Sequence, residues 1–247
     1  MKLTTLTVVL LCTTVSLFAQ PTKQVKYGNV QWLQYYNQTN ISENWSLLVD
    51  GGYRWSEQFS ASSQYVARAA AGYYLTDDIR IATGVAHLGF YSDGEVNRTE
   101  IRPYQELRIR QKLNRIGFNN RLRLEQRFFH IKATKEAKAS DSFNYRFRYR
   151  FQFAIPLVKS FPNQPDQALS LQLGDEIFLN AGNEVVYNIF DQNRILLGTT
   201  YKVSPHLAFS FTYSNTFVAK NIAETYTHLD IFWVGIKHKI DLTEPVN

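Results

Sequence analysis

Ser142-Phe143-Asn144-Tyr145-Arg146-Phe147-Arg148-Tyr149-Arg150-Phe151-Gln152-Phe153-Ala154-Ile155-Pro156 is the stretch that decides the fold. Its odd positions are all aromatic or aliphatic. Its even positions carry Asn144, Arg146, Arg148, Arg150, Gln152 and Ala154. A helix would scatter three arginines at i, i+2 and i+4 around its circumference, whereas a strand places all three on one face. The stretch therefore reads as a two-faced β-strand.

The same period of two recurs outward in both directions. Trp45, Leu47, Val49, Tyr53 and Trp55 alternate with Ser46, Asp50, Gly52 and Arg54. Tyr65, Ala67, Ala69, Ala71 and Tyr73 oppose Gln64, Arg68 and Gly72. Leu122 and Leu124 oppose Arg121, Arg123, Glu125 and Arg127. Leu169, Leu171, Leu173, Ile177 and Leu179 oppose Ser170, Gln172, Gly174 and Glu176. Leu207, Phe209, Phe211 and Tyr213 oppose Ala208, Ser210 and Thr212. Eleven strands follow, over 28–39, 44–57, 63–75, 79–91, 98–112, 117–131, 142–155, 168–180, 190–203, 207–218 and 226–240. Short turns are predicted at Asn40–Glu43, Thr76–Asp78, Leu113–Ile116 and Ser204–His206. Longer polar loops such as Lys132–Asp141 are predicted on the other side, with the Pro-containing Leu157–Gln167 as an exception. That sidedness is the pattern of an outer-membrane barrel.

Composition bounds the alternatives. The 247 residues are 45% hydrophobic, 15% aromatic and 19% charged, with mean hydropathy −0.29. Past the N-terminus no apolar run approaches the length of a membrane helix. A soluble all-β protein, such as a lipocalin-like binding barrel, and a membrane β-barrel both remain. They hide their hydrophobic residues in opposite directions. Strand length favours the second: thirteen residues at about 3.4 Å rise and about 45° tilt project to roughly 30 Å, the thickness of a hydrocarbon core. So does the economy of closure. Nearly every strand pairs an apolar face with a small or polar one, and a soluble fold would have to bury all the apolar faces against each other. The fold class expected is an all-β, transmembrane, antiparallel up-and-down barrel. Because single-chain bacterial barrels have an even strand count, about twelve strands are expected, with ten as the alternative. Residues 20–28 would supply a short extra strand or thread up the lumen.

Met1 to Gln20 reads as a secretory signal, with Lys2 as the basic region, Leu6–Leu11 and Val15–Phe18 as the apolar region, and Ala19 before Gln20 at the cut. The domains expected are a signal peptide over 1–19 and a barrel over 20–247. A short N-terminal anchor is the alternative, but Thr13 and Thr14 interrupt the run. Cleavage would remove the only Cys and the only Met, leaving no disulfide and no thiolate metal site.

The segment Arg121-Leu122-Arg123-Leu124-Glu125-Gln126-Arg127-Phe128 resembles the bacterial outer-membrane barrels of the domain-of-unknown-function family numbered twenty-four ninety. Supporting likenesses are Trp32, Glu100-Ile101-Arg102-Pro103-Tyr104-Gln105, Tyr145–Arg150, Asp175-Glu176-Ile177-Phe178, and Phe190-Asp191-Gln192-Asn193-Arg194 followed by Gly198. The resemblance spans roughly residues 29–240. It implies a barrel and a Gram-negative outer-membrane address, and no activity. The C-terminus departs from the pattern, because a tail, Asp241–Asn247, follows the last strand where barrels commonly end in an aromatic residue.

With the arginine faces inward, the lumen receives Arg54, Arg68, Arg80, Arg102, Arg108, Arg110, Arg121, Arg123, Arg127, Arg146, Arg148, Arg150 and Arg194, against Asp50, Glu100, Glu106, Glu125 and Glu176. If Lys112 pairs with Gly117, then Glu106 faces Arg123, Arg102 faces Arg127, and Glu125 lies diagonal to Arg102. Arg146, Arg148 and Arg150 are expected to have fewer acid partners. Such a network could simply fill a narrow barrel, or it could form a conduit for anions, since arginine rings lower the barrier for them.

Enzyme motifs are sparse. The five histidines show no metal-ligand spacing, and no cofactor is implied. A membrane-embedded lipid hydrolase would need an outward Ser/His pair with an orienting acid or amide; His228 with Asp230 is the best candidate. The net charge of +6 sits in regular ladders rather than an exposed patch, so nucleic acid is set aside. The expected partners are membrane lipid, the outer-membrane assembly machinery and small anionic solutes. The barrel is expected to be monomeric.

Overall fold

The computed structural model describes residues 23–133, 138–185, 188–220 and 222–243. The expected signal peptide, residues 1–19, lies outside them. The described residues form eleven strands: β1 (Gln24–Asn40), β2 (Trp45–Ser56), β3 (Ala61–Thr76), β4 (Ile79–Ser92), β5 (Glu95–Leu113), β6 (Ile116–Ile131), β7 (Ser140–Val158), β8 (Ala168–Ala181), β9 (Phe190–Lys202), β10 (Leu207–Ala219) and β11 (Thr225–Asp241). Each neighbour pair in the chain is antiparallel, and β1 pairs with β11 to close the barrel.

The count corrects the expectation of twelve strands, or ten. Residues 24–28 form neither a separate strand nor a thread through the lumen. They extend β1 upward, and β1 runs parallel to β11 in continuous register from Gln24↔Thr225 to Asn40↔Asp241. With an odd number of strands the first and last point the same way, so closure has to be parallel and the barrel is not antiparallel throughout. Parallel ladders are only slightly weaker per residue, so parity is a habit of bacterial barrels and not a physical requirement. The start of β1 and the end of β11 accordingly lie at opposite ends of the barrel.

The four expected short turns do share one end, with 159–167 as the expected exception, but the other end is not uniformly long-looped, since 57–60 and 93–94 are short. The connections at the end where β1 starts are 57–60, 93–94, 132–139, 182–189 and 220–224; those at the other end are 41–44, 77–78, 114–115, 159–167 and 203–206. The expected loop after β4 is a two-residue turn, because Asp93 and Gly94 both take positive φ, 52° and 81°, as a primed hairpin turn requires.

Burial runs opposite to that of a water-soluble domain. Phe147, Leu122 and Phe211 are about half exposed on the outside, whereas Glu100, Glu125 and Glu176 are almost completely buried inside. The inner apolar cluster is small, Val66, Ala86 and Leu88 with Phe90, on the β3–β4 wall. That wall also leaves no room for a side chain at Gly84. A Cβ on Gly84 would sit 2.3 Å from the Ala69 carbonyl oxygen and 2.4 Å from the Ala70 Cβ. Gly84→Ala is therefore expected to lower stability by about 1–3 kcal/mol through overpacking, measured by urea unfolding of the folded barrel. An unchanged midpoint would show that the strand pair can open locally.

Candidate functional site in the lumen

The inward faces of β5 to β8 carry the charged wall. The registers Glu106↔Arg123 and Lys112↔Gly117 set its heights, with Tyr104↔Glu125 and Ile101↔Phe128 bracketing Arg102 opposite Arg127. Arg121↔Arg150, Arg123↔Arg148 and Glu125↔Arg146 continue it into β7, and Arg148↔Phe178 and Arg150↔Glu176 into β8.

Six of these side chains close a ring of alternating charge. Glu106 contacts Arg123 at 2.5 Å, and Arg123 lies 3.7 Å from Glu125. Glu125 accepts from Arg148 Nη1 at 2.5 Å, and Arg148 Nη2 donates to Glu176 Oε1 at 2.7 Å. Glu176 accepts from Arg121 at 2.5 Å, and Arg121 returns to Glu106 at 3.8 Å. The ring carries side arms. Arg80 and Arg108 each stand 3.6 Å from Glu106. Arg102 lies 3.8 Å from Glu125 and is hydrogen-bonded to Glu100, which also accepts from Arg127 Nε at 2.7 Å. A separate pair, Arg68 with Asp50 at 2.6 Å, sits between β2 and β3.

Arg146 and Arg148 depart from the expectation of few acid partners. Arg146 donates to Glu125 at 2.5 Å and to Asp191 Oδ2 at 3.1 Å. Alternation alone conceals Asp191. The β8–β9 register shifts between Phe178↔Gln192 and Leu179↔Phe190, so Asp191 is the extra residue of a β-bulge. A bulge re-aims a side chain, here bringing the carboxylate to the lumen next to Gln192. Arg110, expected in the lumen, is corrected: it lies exposed at the rim, where its guanidinium donates to the Asp77 carbonyl oxygen at 2.5 Å. Arg98 and Lys237 also face the lumen. Arg98 has the same parity as Glu100 and Arg102, and stacks its guanidinium 3.8 Å from the Phe90 ring centre.

The lumen encloses a cavity of about 880 Å³. Thirteen arginines and three lysines border it against five carboxylates, Asp50, Glu106, Glu125, Glu176 and Asp191. With Glu100 added, the surplus is ten positive charges, more than the +6 of the whole chain. Among the described residues Arg54, Arg98, Arg150, Arg194, Lys202 and Lys237 have no carboxylate within 4 Å, while the other ten cations on the wall do. Arg54 and Arg194 instead lie against Trp32, at 3.8 and 5.1 Å from its ring centre. Such contacts are worth about 2 kcal/mol or more when desolvated, yet they leave the charge uncompensated.

His228 and Asp230 point outward. His228 Nε2 is 2.7 Å from Asn215 Oδ1, and Asp230 Oδ1 accepts from the Tyr213 hydroxyl at 2.5 Å and from Asn215 Nδ2 at 3.2 Å. The imidazole's hydrogen-bond partner is an amide, and among the described residues no serine hydroxyl bonds to it.

No curated protein matches the chain. Among solved structures it is similar to the NanC porin, at 13% identity over 73% of this chain and 78% of that one, with a TM-score of 0.39. It is also similar to a mutant of the ferric enterobactin receptor (PfeA) of Pseudomonas aeruginosa, at 10% identity over 72% of this chain and 35% of that one, with a TM-score of 0.33. Residues 30–227 match the family described as protein of unknown function (DUF2490), and the chain belongs to that family.

Proposed function

We propose that this protein is an outer-membrane barrel whose basic lumen takes up small anionic solutes and passes them as a narrow pore. The observation that carries the reading is the surplus of unpaired cations on a cavity that is otherwise lined by a paired network. A lumen filled only for stability would be expected to balance its charges, because each uncompensated buried ion costs several kcal/mol. Here most of the balanced pairs stand on the β5–β8 wall, and the surplus faces the cavity. Water and mobile anions inside the barrel are the natural compensation.

The membrane address is supported by strands of 12 to 19 residues, by an outer face of exposed large apolar side chains, and by a sequence over residues 1–19 that reads as a secretory signal. Delivery by the assembly machinery and a monomeric state complete the proposal.

Planar-bilayer recording in a KCl gradient tests it. The reversal potential is expected to show chloride preference, and the preference is expected to fall toward unity in Arg150→Gln, whose guanidinium has no carboxylate partner. Arg146→Gln and Arg148→Gln should instead act through stability, because those cations are already paired. Absence of conductance at every voltage would sink the pore.

A further inference from the structure

Three N–H donors around Trp32 are buried without partners. The indole Nε1 of Trp32, the Nε of Arg54 and the Nε of Arg194 are each occluded, and none has a hydrogen-bond acceptor among the described residues. Trp32 itself is 6% exposed and lines the cavity, as do both arginines. Buried polar groups are nearly always satisfied, and each that is not asks for an explanation.

The surroundings narrow the explanation. Two guanidiniums share one indole and repel each other. Arg54 Nη1 donates to Gln64 Oε1 at 2.5 Å, and Arg194 Nη2 to Gln192 Oε1 at 3.3 Å; both acceptors are neutral amides. Glu176 is in register with Arg194, but it is taken up by Arg121 and Arg148. Arginine and tryptophan side chains offer only donors, so the complement must be an acceptor, and two positive charges require it to be anionic.

We infer that Trp32, Arg54 and Arg194 form an oxyanion-binding site in the lumen, which takes a phosphate, sulfate or carboxylate group, free or at the end of a larger solute. This deepens the anion reading and rests on it for its place along a transport route. As a binding site, however, it can be tested without any current.

The test is titration calorimetry of the whole barrel, folded in detergent, with inorganic phosphate and with sulfate. Wild type is expected to bind saturably. The double variant Arg54→Gln/Arg194→Gln is expected to bind at least about tenfold more weakly, because it removes two charge-assisted donors. Trp32→Phe keeps the ring and removes one neutral donor, so a loss of about two- to tenfold is expected. Arg110→Gln at the rim should bind as wild type does, and far-UV circular dichroism checks that each variant is folded. No saturable binding by wild type, equal affinity in folded double variant and wild type, or an equal loss in Arg110→Gln would each overturn the site. Binding with these losses but without conductance would uphold the site and remove the pore. Chloride selectivity with no effect of Arg54 and Arg194 on binding would do the reverse.

Discussion

Glu125→Gln is expected to lower the stability of the folded barrel by about 3–5 kcal/mol, the cost of leaving buried charges without their partner. Glu125 is 2% exposed and has contacts to four arginines, two of them close: Arg146 and Arg148 at 2.5 Å, Arg123 at 3.7 Å and Arg102 at 3.8 Å. The substitution changes no volume, so the effect is electrostatic. Arg148→Gln should cost less, because it removes one of the repelling cations together with the pair. The double variant should be more stable than the sum of the single losses predicts, since the two residues share one network. Urea unfolding in lipid vesicles reads all three, with Arg110→Gln as a rim control expected within about 0.5 kcal/mol of wild type. The magnitude has a second use. A loss below about 1 kcal/mol for Glu125→Gln would mean that lumen water solvates the arginines and that the wall is wet rather than packed.

That network also shows what the sequence could and could not disclose. Strand placement follows from strict alternation, because a side-chain period of two leaves no other regular structure in which Arg146, Arg148 and Arg150 share a face. The Glu106–Arg123 pairing follows once the short turn after Leu113 is assumed, because turn length fixes register. Asp191 was not legible. It enters the lumen through a bulge, and a bulge breaks the parity on which the reading depends. Arg110 failed for the opposite reason. Its parity is correct, but it sits past the end of the enclosed region, where height along the barrel matters more than face. The strand count failed because closure is a property of the whole sheet. Eleven strands were readable one by one, yet nothing local to β1 or β11 declares that they meet in parallel. Unpaired cations are the hardest feature to foresee. Arg194 stands in register with Glu176 and still lies against Trp32 and Phe178, since the acid is already shared by Arg121 and Arg148.

Phe147→Arg is expected to destabilise the barrel in a bilayer by about 2–4 kcal/mol, the cost of an outward arginine near the membrane midplane. Phe147 stands in the middle of β7, half exposed, with Leu124 and Leu179 directly opposite on the neighbouring strands. On a soluble barrel the same change would meet water and fall within about 0.5 kcal/mol of neutral, so the sign of the outer environment is read from one substitution. Leu113→Arg supplies the depth control. Leu113 is 73% exposed at the end of β5, beside the two-residue turn, where an interfacial arginine costs about 0–1 kcal/mol. A membrane belt therefore predicts a large difference between the same substitution at two outward-facing positions of different height. Unfolding in lipid vesicles measures it, and every 1.4 kcal/mol of difference is a tenfold change in the folded-to-unfolded ratio. If the two variants behaved alike and close to wild type, the apolar outer face would be meeting water, and the lumen cations would have to be explained as the interior of a soluble binding barrel.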